Sequence, residues 1–247
     1  MTGFVPGEQA WIDRLGNLRN VVRQEVISRQ LAPLVGPGSS VLDVGCGQGT
    51  QALRLASAGC RVTGVDPSPD LLARCADSAR VGHLEVELLE GGIEGVADLC
   101  GGRTFDLVCC HGVLMYLDDW APAVGHLAER VARGGHVSLT FRNGHALAMR
   151  PGLRGDWAGA LAAFDATTYV NELGLPARAH RTPDIAAVLA GLDGRGQPLD
   201  RGISLIHRRR GAAQGKGVAA SFEHRRHRHA GQGRVPAGHR ETGRARS

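Results

Sequence analysis

The chain has 247 residues, 43% hydrophobic and 4% aromatic, with a formal net charge of +5. This is enough for one sizeable α/β core packed with Leu, Val and Ala rather than rings, and no run of about 18 apolar residues offers a membrane span. The charge is uneven: residues 208–247 hold ten Arg and one Lys against two Glu, a net +9, so residues 1–207 carry −4 from 18 basic and 22 acidic side chains and do not form a basic nucleic-acid surface.

In chain order, residues 8–35 read as an amphipathic helical lead-in, with Leu15, Leu18, Val22, Val26 and Ile27 on its apolar face, stopped by Pro33 and Gly36-Pro37-Gly38. Residues 40–45 are a strand, 50–58 a helix and 60–66 a second strand. Ser68 is placed to cap the next helix, with Pro69 at its first position. A third strand spans 83–89, a short helix 93–100, a fourth strand 104–111, a helix 119–132, and a fifth strand follows Gly134-Gly135. Strands alternating with helices predict a doubly wound, mostly parallel sheet. Residues 144–176 read as irregular or helical cover over the strand ends, followed by a helix at 183–192 and a strand at 201–207. Three segments are expected: a lead-in at 1–38, a domain at 39–207 and a tail at 208–247.

The tail has one aromatic, no Leu or Ile and no period, which predicts disorder. Three other readings stay open for it: a basic arm touching nucleic acid non-specifically, a metal clip at His224, His227 and His229, and an out-of-frame segment from GC-rich coding sequence. The six cysteines, at 46, 60, 75, 100, 109 and 110, form no CxxC pair and lie in expected core elements. They read as buried, reduced thiols, and no metal site is predicted. The first residues show no basic stretch followed by an apolar run, so a cytoplasmic protein without a signal peptide is expected.

The chemistry concentrates in VLDVGCGQG at 41–49 and in VTGVDPS at 62–68. Gly45, Gly47 and Gly49 let the backbone approach a ligand where a side chain would collide. The spacing is G-x-G-x-G. A pyrophosphate-binding turn has G-x-G-x-x-G, and Asp43 inside the strand would repel a pyrophosphate. Asp66, followed by Pro67, is placed to accept hydrogen bonds from both hydroxyls of a ribose. A sulfonium nucleoside, with ribose, an ammonium group and no phosphate, satisfies all of this; a nicotinamide-dependent oxidoreductase is the poorer match.

These segments, with TFDLVCCHGVLMYLDD and ARGGHVSLTF, resemble the motifs of class I S-adenosylmethionine-dependent methyltransferases over residues 40–141. GNLRNVV, GGIEGV, CHGVL and FRNGHALAM are further similar to bacterial tRNA carboxymethoxyuridine methyltransferases. The resemblance implies S-adenosyl-L-methionine as cofactor, with its carboxylate on Arg19, its methionine part along Gly45, Cys46 and His111, its ribose on Asp66, and its adenine between Gly92 and Ile93. The acceptor it implies is a small molecule or a tRNA wobble-uridine carboxylate. A carboxylate acceptor needs no base; for a hydroxyl, His111 and His145 are the candidates. Asn143 and His145 are expected on the substrate side, and Trp157 and Tyr169 in a lid. The family's last helix and strand find no counterpart in 208–247, so the fold is expected to lack its last strand. A cofactor-binding protein without catalysis is the alternative.

Overall fold

The computed structural model describes residues 7–14, 16–193 and 203–207. The expectations for the tail, its three histidines, Leu15 and the missing last strand lie outside those residues. Two helices lead in, α1 (Glu8–Arg14) and α2 (Leu18–Leu31). Asn17 caps α2 by accepting the Asn20 N–H at 3.0 Å. Then come β1 (Ser40–Val44), α3 (Ala52–Ser57), β2 (Arg61–Asp66), α4 (Pro69–Val81), β3 (Val86–Glu90), α5 (Val96–Leu99), β4 (Phe105–His111), α6 (Trp120–Glu129) and β5 (Val131–Thr140). The chain continues through α7 (Met149–Leu153), α8 (Trp157–Ala162), β6 (Thr168–Val170), β7 (Pro176–Arg178), α9 (Thr182–Asp193) and β8 (Ile203–His207).

The main sheet has the order β3-β2-β1-β4-β5-β8. Its first five strands are parallel and β8 runs antiparallel to β5. The direction of winding reverses between β1 and β4, which is where ligands bind in such sheets. Alternate residues feed two cores. Val41, Val62, Leu107 and Cys109 pack on Ile27 and Leu31 of α2 and on α3. Leu42, Val44, Val65, Val108 and Cys110 pack on α6 and on Ile185 of α9. All six cysteines are buried and free, as the thiol reading expected.

Three readings need correction. The apolar face assigned to α2 is mostly outward: Leu18 is 78%, Val22 52% and Val26 39% exposed, while Ile27 and Leu31 alone anchor the helix among its apolar residues. The last turn of the expected helix at 119–132 belongs to the sheet instead. Arg130 accepts the Phe105 N–H through its carbonyl at 2.8 Å, Val131 opens β5, and the register shifts between Phe105 and Leu107. Edge hydrogen bonds outweigh helical propensity there. The 144–176 cover also contains a hairpin, β6–β7, whose turn is closed by Asn171.

Candidate cofactor site

At the end of β1 the chain turns through Gly45, Gly47 and Gly49, with φ of 74°, 55° and 86°. Only glycine takes these values without strain. Space is short as well. A Cβ on Gly45 would strike Val113 Cγ2, one on Gly49 would strike Cys75 Sγ, and one on Gly47 would lie 3.0 Å from the Trp11 ring of α1. The Gly45 and Cys46 N–H groups both donate to the Val65 carbonyl, at 2.7 and 3.2 Å, which ties the turn to β2.

The carboxylate of Asp66 organises the loop. Its Oδ2 accepts the Gly47 N–H at 2.8 Å and its Oδ1 accepts the Ser68 N–H at 3.0 Å. Each oxygen keeps a second lone pair, so the pair can still receive two vicinal hydroxyls. Ser68 caps α4 through the Leu71 N–H and donates its own hydroxyl to Glu8 at 3.0 Å. Burial pushes the Asp66 carboxyl up, the Ser68 and Gly47 N–H groups oppose this, and Glu8 adds to it. Asp43 is 3% exposed on the face of β1 towards α3. Burial first, then the Asp66 charge, raise it to about 7, against the Ala52 N–H. Two coupled buried acids beside a glycine turn favour a cationic ligand.

Across the reversal point, His111 ends β4 level with Thr140 of β5. Its Nε2 lies 2.9 Å from Ser138 Oγ, and its Nδ1 is enclosed without a partner among the described residues. Burial, with a contribution from Arg23 of α2, lowers His111 to about 4, so it is neutral near pH 7. Tyr116 accepts the Asn171 amide at 2.9 Å; burial and Tyr169 raise its hydroxyl to about 12. Arg19 makes two hydrogen bonds to Glu172 in the hairpin turn, at 3.0 and 2.5 Å. Glu172 also holds Arg150 of α7 at 2.6 Å.

Comparison with known proteins decides what kind of fold this is. Residues 41–135 match the family model for a methyltransferase domain. The magnesium protoporphyrin IX methyltransferase of Synechocystis PCC 6803 with bound SAH superposes with a TM-score of 0.59 at 24% identity, over 83% of this chain and 92% of that one. The fold is that of the class I methyltransferases. The PH0226 protein of Pyrococcus horikoshii gives the same TM-score at 16% identity, over 78% and 91% of the two chains. Among curated proteins, the ubiquinone biosynthesis O-methyltransferase of Alkalilimnicola ehrlichii is 34% identical over 145 residues, 57% of this chain and 58% of the relative. That of Xanthomonas axonopodis pv. citri is 32% identical over 50% of each. The chain thus spans about half the length of the curated relatives it matches. These relatives lend no support to the narrower resemblance to tRNA carboxymethoxyuridine enzymes.

Set on this methyltransferase fold, Asp43, Gly45, Cys46, Gly47, Gly49 and Asp66 come together around one turn. Cys46 is buried there, with its thiol pushed up by burial and by Asp43 and Asp66. Pro67 stays exposed beside Asp66. Gly92 caps a 3-10 turn at 93–95, and the Ile93 side chain is fully buried in the core against α6, which leaves its backbone to border a ligand. Arg19 is engaged by Glu172. His145 is exposed, its N–H held by Asn143 Oδ1 at 2.9 Å; Asn143 bridges to His180. Tyr169 packs under Arg142, whereas Trp157 is 69% exposed. Sequence reasoning missed Trp11, Ser138, Tyr116 and Glu172. Only Ser138, a polar residue amid an apolar strand, carried a readable signal. Among the described residues no group of three His, Cys, Asp or Glu side chains could hold a metal.

Proposed function

We propose that this chain is an S-adenosylmethionine-dependent methyltransferase acting on an oxygen of a small-molecule acceptor. The observation that carries the reading is the Asp66 carboxylate, fixed by the Gly47 and Ser68 N–H groups at the end of β2 with lone pairs left for a ribose. The three glycines supply the close backbone approach, and Asp43 with Asp66 supplies negative charge beside a positive ligand. The same turn suits a phosphate poorly.

S-adenosylmethionine would supply a methyl group already activated by its positive sulfur, so what the protein must add is alignment. Gly45, Cys46 and Gly47 would line the methionine part, Asp66 would hold the ribose, and Gly92 would border the adenine. His111, neutral and held by Ser138, would border the methionine part from the end of β4. The names of the curated relatives support an oxygen acceptor of low molecular weight, and the −4 charge of residues 1–207 supports it over tRNA.

Calorimetric titration with S-adenosylhomocysteine tests the cofactor reading. The wild type is expected to bind it and Asp66→Ala to lose at least tenfold in affinity; equal binding by both overturns the assignment. Labelled cofactor incubated with separate metabolite and RNA fractions tests the acceptor, with label expected in the metabolites.

A further inference from the structure

We propose that Arg142, Arg150 and Arg154 form an oxyanion subsite that anchors a small acceptor by a phosphate or carboxylate group, an inference resting on the methyltransferase reading above. Arg142 follows β5 by two residues, and β5 ends level with His111, so the subsite sits at the same strand edge as the neutral imidazole. There a cavity of about 300 Å³ is lined by Arg142, Ala146, Met149, Arg150, Leu153 and Arg154.

The charge balance of this cavity is unusual. Three arginines line it, and among the described residues only Arg150 has a carboxylate partner, Glu172 at 2.6 Å. Arg142 is held in place by its carbonyl, which accepts the His180 N–H at 2.9 Å, and its guanidinium lies 5.6 Å from the Tyr169 ring centre. Three cations gathered against a single carboxylate repel one another. An oxyanion answers this, because guanidinium groups match carboxylate and phosphate geometry. Ala146, Met149 and Leu153 complete the lining, so the ligand combines an anionic group with an apolar body. A nucleic-acid strand would need a broad basic surface rather than one small cavity.

The test uses the full chain saturated with S-adenosylhomocysteine and titrates hexyl phosphate and hexanoate by calorimetry. Binding of at least one probe is expected, and the tighter one tells phosphate from carboxylate. Arg142→Gln is expected to weaken it at least tenfold and Arg142→Lys less. Arg74→Gln, on an exposed residue of α4, should leave it unchanged. Glu172→Gln, which releases Arg150, should tighten it several-fold. If Arg142→Gln does not fold, Arg154→Gln on the exposed end of α7 serves instead, with the same direction expected. Failure of both probes to bind, or equal loss in Arg74→Gln and Arg142→Gln, overturns the subsite, as does displacement of the probe by tRNA at lower concentration than by its own congeners. If S-adenosylhomocysteine binds and the probes do not, this inference alone falls; if S-adenosylhomocysteine does not bind, the methyltransferase reading falls first.

Discussion

At Gly45 a methyl group would strike Val113 and would have to sit at a φ of 74°. Gly45→Ala is therefore expected to cost about 1–3 kcal/mol in urea unfolding, and Val113→Ala in the same chain should restore part of it; a neutral Gly45→Ala would mean that the turn relaxes. Asp43 behaves differently because its strain is electrostatic. Its folded carboxyl titrates at about 7, against 3.8 for an unperturbed one. Between those values the folded state holds a proton that the unfolded state has lost, so the residue's contribution to stability falls as pH rises from about 4 to 7. Asp43→Asn is expected to raise Tm more at pH 8 than at pH 5. A cationic ligand favours the ionised form, so affinity for S-adenosylmethionine should rise from pH 6 to pH 8 more than affinity for its uncharged-sulfur product, and should lose that rise in Asp43→Asn. A flat profile for both ligands would remove Asp43 from the site.

Helix α2 shows what periodicity tells at the level of an element. Its apolar spacing announced a helix, and a helix forms, but two apolar stripes lie side by side on it. Only the sheet decides which one is buried, and it takes Ile27 and Leu31. Ile27→Ala or Leu31→Ala is expected to cost about 2–5 kcal/mol, and Val22→Ala less than about 0.5 kcal/mol, by chemical denaturation; the reverse order would show that the outward stripe is covered. The β6–β7 hairpin was illegible for another reason. Strands of three residues are too short to display alternation, and the turn is held by one side chain, Asn171, whose Oδ1 accepts the Leu173 and Leu175 N–H groups at 2.8 and 3.0 Å. Its tip nonetheless reaches α2 through Arg19, α7 through Arg150 and the segment after β4 through Tyr116.

Over the molecule as a whole, the reversal of winding between β1 and β4 places the glycine turn, the acid ending β2 and the histidine ending β4 at one edge of the sheet. A ligand bound there stabilises the fold by mass action, by about 2.7 kcal/mol at a hundred times Kd. S-adenosylhomocysteine should therefore raise the Tm of the wild type by several degrees and leave Asp66→Ala nearly unmoved; an equal rise in both would place the ligand elsewhere. The sequence by itself determined the alternation of five strands with helices, the glycine turn and the two acids Asp43 and Asp66, because each is a local pattern: a period, a backbone conformation, a charge in an apolar run. The tertiary structure decided which face of α2 is buried, that Ile93 belongs to the core, that Ser138 holds His111, and that Arg142, Arg150 and Arg154 meet around one cavity. Those outcomes depend on contacts between residues far apart in the chain, and spacing along the chain carries no record of them.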